Sequence, residues 1–452
     1  MNGNFNSAFG NLIGLNAAGT AAFGNSYAGI GIVSGSQSNV IGGVTRSARN
    51  VISGNKNQGI VLNGSPVAKN FIQGNYIGLN AAGTAGISNF WSGIELSGGL
   101  SGGSTANTIG GSGGARNFIS GNGNYGISVN NSANGNIIQG NTIGLSGTNG
   151  AAIPNAFVNL VMFAGAQSNL VGGVSAGAAN LISASAGDGV QIIDASTTNN
   201  TIRGNSIFSN AGNAIGLYNT GNRNLAAPSL STVVVGTNTL ITGSYNGVNG
   251  TVYQLDFYSD TVVSGAESMI YLGSRSFTGT GSLANFTNGF GALVPAGRGV
   301  TVSVTDPAGN TSALSAGSIA RMTSTPNDGI PDSWRAFYFG GSGTTTNSSS
   351  YAAGDPDHDG VSNLNEFLAG TNPTNAASVF KLTAQNPVAT PNAVVVNSAN
   401  GVVYRVFARD DLTAGNWDIL ADQVIGNGTN VFLADPAASV STKRFYRAQV
   451  LW

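Results

Sequence analysis

The stretch DPDHDGVSNLNE, residues 355–366, carries the densest chemistry of this 452-residue chain. Asp355, Asp357 and Asp359 alternate, Gly360 follows them, and Glu366 closes the twelve residues. This is the calcium-loop frame D-x-[DN]-x-[DN]-G-x₅-E. Carboxylates at positions 1, 3 and 5 of a tight turn converge on one point, and Gly360 permits the bend. The Val361 carbonyl falls at position 7, Asn363 ligates directly or through water at position 9, and Glu366 completes the shell bidentately. One bound Ca²⁺ is expected. His358, the chain's single histidine, falls at position 4, where a side chain points to solvent.

Upstream, STPNDGIPDSWR repeats the frame with Gly329 at position 6, but Ser324, Pro326 and Arg335 stand where acids are wanted at positions 1, 3 and 12. Only Asp328 and Asp332 remain. They are expected either to hold a weak second ion or to complete the shell of the first.

Catalytic groups are scarce elsewhere. Residues 1–218 contain three acids, Glu95, Asp188 and Asp194, and no histidine. Glycoside hydrolysis generally needs two facing carboxylates, and lyase chemistry on uronates needs a base with acidic calcium ligands. Asp188 and Asp194 flank one strand, roughly 20 Å apart along an extended chain, and read as turn formers. Glu95 lies near Phe90 and Trp91, a pairing that suits either sugar stacking or a solvated loop. Six cations (Arg46, Arg49, Lys56, Lys69, Arg116, Arg203) read as scattered.

The elements that position these residues follow from a repeat. IGLNAAGTA occurs at 13–21 and again at 77–85, and a degenerate IGLSGTNG starts at Ile143, giving steps of 64 (77 − 13) and 66 (143 − 77) residues. NVISGN at 50 and NFIQGN at 70 suggest a finer coil of about 20 to 22 residues, three per long unit. Each phrase is a short strand with inward Ile, Val or Leu, ended by Gly-Asn. Stacked coils of constant length describe a parallel β-helix over residues 1–218, with roughly ten coils and a height of roughly 48 Å. Asn50, Asn70, Asn117, Asn136 and Asn180 head their strands and are expected to form amide ladders.

Beyond Pro228 longer alternating strands begin, and residues 228–319 read as a β-sandwich. Residues 323–376 form the calcium-loop segment, and residues 378–452 return to strands. The fold class expected is all-β, a parallel β-helix followed by sandwich modules and a small EF-hand-like segment.

Phrases such as NxIxGNxIGLNAAGTA and ARNVISGN resemble the right-handed β-helix repeats of large bacterial extracellular proteins. YQLDFYSD with VTVSVTDPAGNTSALS looks like the immunoglobulin-like modules that follow such repeats. DGIPDSW with GDPDHDGVSNLNEFLAGTNPTN resembles tandem calcium loops related to dockerin and thrombospondin type 3 repeats. YRVFARDDLTAGNWDIL and RFYRAQV resemble a small C-terminal sandwich of the same proteins, with Trp417 in its core or serving as a sugar platform. The resemblance implies secreted proteins in which these modules are spacers or binding units.

Composition narrows the partners. A net charge of −1, with 17 basic and 18 acidic residues and no basic cluster along the chain, gives no reason to expect nucleic acid. No run of 18 apolar residues exists to span a membrane, and no cysteine is present. The opening MNGNFNSAFGN lacks the basic and apolar regions of a signal peptide. The chain begins within a long unit, so either earlier coils are missing, or Met1 to Gly10 fold over the first coil, or another molecule docks there, the last of which would allow self-association into filaments. A calcium site of this kind points to the cell surface or exterior. The reading is a non-enzymatic structural or adhesive protein; the alternatives are a carbohydrate-binding protein and a polysaccharide-active β-helix enzyme or its remnant.

Overall fold

The computed structural model describes residues 1–33, 35–98, 103–148, 150–235, 238–260, 267–291, 294, 297–385, 392–399, 402–413, 417–426, 428–435, 438 and 443–451. The phrases spanning residues 236–237, 400–401 and 414–416 lie partly outside the described residues.

The amino-terminal half is a parallel β-helix. Three seven-stranded parallel sheets run from Ser7–Ala8 to Thr201–Arg203, from Leu12–Ile13 to Ser206–Phe208, and from Ile30–Val33 to Ile215–Tyr218. In the first sheet Ser7, Val40, Phe71, Thr108, Ile137, Leu170 and Thr201 are register partners. A coil therefore takes between 29 (137 − 108) and 37 (108 − 71) residues and carries one strand of each sheet. Two coils, not three, make the long unit, since Ile13 pairs with Ile52 and Ile52 with Ile77. Seven rungs give a height of about 30 Å, shorter than the ten-coil expectation.

The cause of the difference is chemical. N-x-I-x-G-N marks the second-sheet corner of one coil, as at Asn50 and Asn117, and the first-sheet corner of the next, as at Asn70 and Asn136, so the spacing of about 20 residues measures a step to another face and not a full turn. Asn70 heads a strand of the first sheet while Asn50 and Asn75 head strands of the second. The stacked asparagines accordingly form separate ladders. One runs Asn6, Asn39, Asn70, Asn107, Asn136, Asn169, Asn200, each amide nitrogen donating to the next carbonyl oxygen over 2.8–3.0 Å. A second runs Asn11, Asn50, Asn75, Asn117, Asn141, Asn180, Asn205, and a third passes through Asn25, Asn55, Asn89, Asn122 and Asn155. Second amide hydrogens go to the backbone, as from Asn70 to the Ser36 carbonyl. Buried amides stay satisfied at corners where the strands leave backbone groups unpaired. Inside, Ile, Val and Leu stack rung upon rung in a column of fully buried aliphatics.

The repeated nonapeptide forms a loop beside every second coil. Asn80 accepts from the Thr84 and Ala85 amides, as Asn16 does from Thr20 and Ala21, and the Ala81 amide donates to the Gly19 carbonyl of the preceding loop. Like packs on like across two rungs.

A second β module closes the far end of the solenoid. Seven strands between Ser229 and Met322 form one sheet, not the two of an immunoglobulin-like sandwich. The reason is Ser318–Met322, which pairs in parallel with Ser229–Val235 and antiparallel with Gly299–Thr305, bridging two halves that would otherwise separate. The result is a near-closed barrel around Phe257, Phe286, Phe290 and Tyr253. It caps the last coil: Tyr258 and Tyr271 enter the solenoid core, Ile207 and Ser268 exchange backbone hydrogen bonds, and Arg203 pairs bidentately with buried Asp256.

Two short helices follow, Asp332–Phe339 and Asn363–Ala369, packed through Trp334 and Phe367 with ring centroids 6.0 Å apart. The last module is two three-stranded antiparallel sheets sharing a core of Val394, Val396, Tyr404, Val406 and Leu420. No described helix is long and apolar enough to cross a membrane.

Candidate metal centre

Each helix of the acidic segment begins at position 9 of a twelve-residue loop, and each loop turns at a positive-φ glycine, Gly329 at 86° and Gly360 at 90°. Positive φ is cheap only for glycine. The two loops use this common geometry differently.

In the second loop Asp355, Asp357 and Asp359 each bring a carboxylate oxygen to within 4.8 Å of the other two. The other oxygens are held by the turn: Gly360 N–H donates to Asp355 Oδ2 at 3.0 Å, Val361 N–H to Asp359 Oδ1 at 2.8 Å, and Asp359 N–H to Asp357 Oδ1 at 3.3 Å. Asp355 Oδ1, Asp357 Oδ2 and Asp359 Oδ2 are buried with no hydrogen-bond partner. So are Asn363 Oδ1 and both carboxylate oxygens of Glu366. Asn363 is oriented by its own amide, which donates to the Ser349 and Tyr351 carbonyls at 2.8 Å each. Buried polar atoms are normally paired, and six orphaned oxygens in one loop mark the place of a cation. Burial, with the Asp357, Asp359 and Asp355 charges adding to it, pushes the Glu366 carboxyl up to about 7. An all-oxygen donor set suits a hard cation. Among the described residues this aspartate triad is the grouping of acids able to hold a metal ion. Val361 contributes its amide to the turn, and His358 is exposed with φ at 62°.

Asp328 and Asp332 stand outside that triad. Arg335 Nη2 reaches both Asp328 oxygens at 2.7 and 2.6 Å, while Asp332 accepts from the Thr325 amide and hydroxyl at 2.8 and 2.6 Å. The remaining Arg335 donors bond the Ser350 and Gly343 carbonyls at 3.0 Å each, and the side chain is 1% exposed. Position 12 therefore supplies a fixed cation where the second loop supplies an anion. An arginine at the closing position of a calcium frame was visible in the sequence as a missing ligand; its reach to Asp328 was not.

The solenoid acids are separated. Asp188 is buried and accepts from the Asn213 amide at 2.7 Å and from Gln191 at 3.2 Å. Asp194, at φ 75°, closes a turn by accepting from Ser196, Thr197 and the Ala164 amide. Glu95 accepts from Gln58 at 2.6 Å in a shallow trough that it shares with Trp91 and Tyr125, and no other acid lines that trough. Trp417 is half-buried, with the Arg447 and Arg409 guanidiniums 4.9 and 5.3 Å from its ring centre.

Three cations that read as scattered do meet. Arg46, Arg49 and Arg116 line a cleft of about 310 Å³ where the last module folds back on the solenoid, facing Arg444, Asp410 and Asp418. Burial raises the Asp418 carboxyl above its ordinary range, with Arg49 and Arg46 opposing. Coil stacking brings Arg49 and Arg116 together from 67 residues apart (116 − 49) in sequence.

No protein-family model matches this chain, and no curated protein sequence does either.

Proposed function

We propose that this chain is a non-enzymatic structural and adhesive protein of the cell surface or exterior, with a tail segment stiffened by one Ca²⁺. The observation that carries the metal reading is the set of six buried, partnerless oxygens on Asp355, Asp357, Asp359, Asn363 and Glu366. The ion would be held by those side chains, and its charge would offset four carboxylates in one turn. Calcium fits better than magnesium because the donors are many and all oxygen, whereas magnesium usually keeps several waters and takes only one or two carboxylates. The non-enzymatic reading draws support from the isolation of Glu95, Asp188 and Asp194, since two of them are spent on backbone amides and the third has no carboxylate partner in its trough.

Incubation of the full chain with plant and algal polysaccharides in calcium is the test, read as new reducing ends or unsaturated uronates. Turnover above a heat-treated control would overturn the reading. Self-association would run through the edge of Ser7–Ala8 and Leu12–Ile13, beside exposed Phe5 and Phe9, since on Ile30–Val33 the Met1 backbone already takes the Gly31 carbonyl and the Val33 amide. Dispersed monomers in electron micrographs at high concentration would rule out filaments.

A further inference from the structure

In the third sheet Ile30, Ile60, Ile94, Ile127 and Leu160 are register partners, so the residues three positions before them also stack: Tyr27, Asn57, Trp91, Asn124 and Phe157. The backbone links the column from Asn57 onward, with Trp91 N–H donating to the Asn57 carbonyl at 3.3 Å, Asn124 N–H to Trp91 at 3.1 Å and Phe157 N–H to Asn124 at 3.0 Å, while Tyr27 is placed by the Ile30–Ile60 register. Aromatic and amide alternate rung by rung. The aromatics are 79%, 48% and 51% exposed, unlike the solenoid's aliphatics, so they do not serve the core. Their spacing is two rungs, about 9.6 Å along the solenoid axis. Phe90, 64% exposed, stands edge-on to Trp91, and Tyr125 lies against Phe157. Beside Trp91 runs the trough of about 400 Å³ lined by Asn57, Gln58, Glu95 and Asn124.

A row of exposed rings on a soluble protein marks a binding surface. Its amide interruptions decide what kind. A protein interface has a contiguous apolar core, and a membrane-seeking face is backed by clustered cations. Here Asn57 and Asn124 separate the three rings along the axis, and among residues 24–33, 54–63, 88–97, 121–130 and 154–163 the one cation is Lys56. Flat apolar plates at fixed intervals, with hydrogen-bonding side chains between them, complement a chain of pyranose rings. Such rings present C–H faces to aromatics and equatorial hydroxyls to amides. An extended β-linked glycan turns the same face to one side once per disaccharide, a length close to two rungs.

We infer that Tyr27, Trp91 and Phe157 form a binding face for a linear, extended β-linked polysaccharide lying along the solenoid axis, one aromatic per disaccharide. This deepens the adhesive reading above by naming the surface adhered to, and it rests on that reading only in taking the solenoid as non-catalytic. Asn57, Gln58, Glu95 and Asn124 bond the hydroxyls between stacked sugars. A curved α-linked glucan does not keep contact with successive rings.

Titration calorimetry of the full chain with cellohexaose, xylohexaose, maltohexaose and cellobiose tests this. The extended hexasaccharides should bind about tenfold more tightly than cellobiose, and Trp91→Ala should weaken them by about tenfold with an unchanged melting temperature. Tyr27→Ala and Phe157→Ala should each cost less than Trp91→Ala, and together as much. Equal affinity for maltohexaose, no binding of either extended hexasaccharide, or unaltered binding by Trp91→Ala would overturn the inference. Loss of a concentration-dependent dimer in Trp91→Ala would instead assign the face to contact between copies. Release of reducing ends would sink the non-catalytic reading while leaving the binding face standing.

Discussion

The loops 324–335 and 355–366 share a length, a positive-φ glycine at position 6 and a helix beginning at position 9, yet they solve the problem of crowded carboxylates in opposite ways. The first carries its own cation: the Arg335 guanidinium, planar and always charged, forks onto Asp328 and ties in the Gly343 and Ser350 carbonyls. The second carries four acids and no cation, and leaves six oxygens unsatisfied. One frame thus carries its counter-charge within itself, and the other presents an oxygen cluster that could hold a cation. Trp334 of the first loop packs on Phe367, which directly follows the second, so if the second loop binds calcium as proposed, half of this small segment is independent of ionic conditions and half depends on them.

The sharpest way to break the comparison is Arg335→Met. It leaves a partly buried Asp328 with no counter-charge, and removing one partner of a buried pair costs about 3–5 kcal/mol. The loss should be the same in calcium and in chelator, read by urea unfolding followed by tryptophan fluorescence of Trp334.

Asp357→Asn should behave in the opposite manner. With calcium about a hundredfold above its dissociation constant the intact loop gains about 2.7 kcal/mol, which the variant forfeits in calcium and not in chelator. A melting temperature that ignores chelator in the parent chain would show that the second loop binds no ion.

Acidity separates the loops further. Glu366 has its folded value raised to about 7 against an ordinary 4.5, so the ion-free segment binds an extra proton between those values. In chelator its stability should be fully present below about pH 4.5 and fall as pH rises through about 7, and Glu366→Gln should flatten that slope. Calcium should reverse the trend, since the deprotonated form is the ligand.

The smallest effect belongs to His358→Ala. The ring is exposed, and calcium affinity should stay within about 0.5 kcal/mol of the parent by direct titration.

Much of the candidate metal site was legible because its geometry is local. Asp355, Asp357, Asp359, Gly360 and Glu366 lie within twelve residues, and a turn and the first turn of a helix suffice to gather them. Asp328 and Asp332 were harder to place, because their partners depend on which way a long arginine side chain folds. The solenoid shows the same division. Its beat of 64 and 66 residues is written in the chain, but N-x-I-x-G-N at the second-sheet corner of one coil and the first-sheet corner of the next looks the same on paper as N-x-I-x-G-N repeated at one corner of successive coils. Register alone tells them apart, and it splits Asn70 and Asn136 from Asn50, Asn117 and Asn180 into different ladders. The single sheet of the second module was equally hidden, since nothing local marks Ser318–Met322 as a bridge.

By itself the amino-acid order determined the β-helical class, the long repeat and one twelve-residue cation frame, because each arises from alternation, turn chemistry or spacing over a few residues. Only the tertiary structure decided the length of a coil, the cation that Arg335 lends to its own loop and the row formed by Tyr27, Trp91 and Phe157. Those depend on pairing between residues dozens of positions apart, where the energy of one stacked rung on the next selects a register that no short window contains.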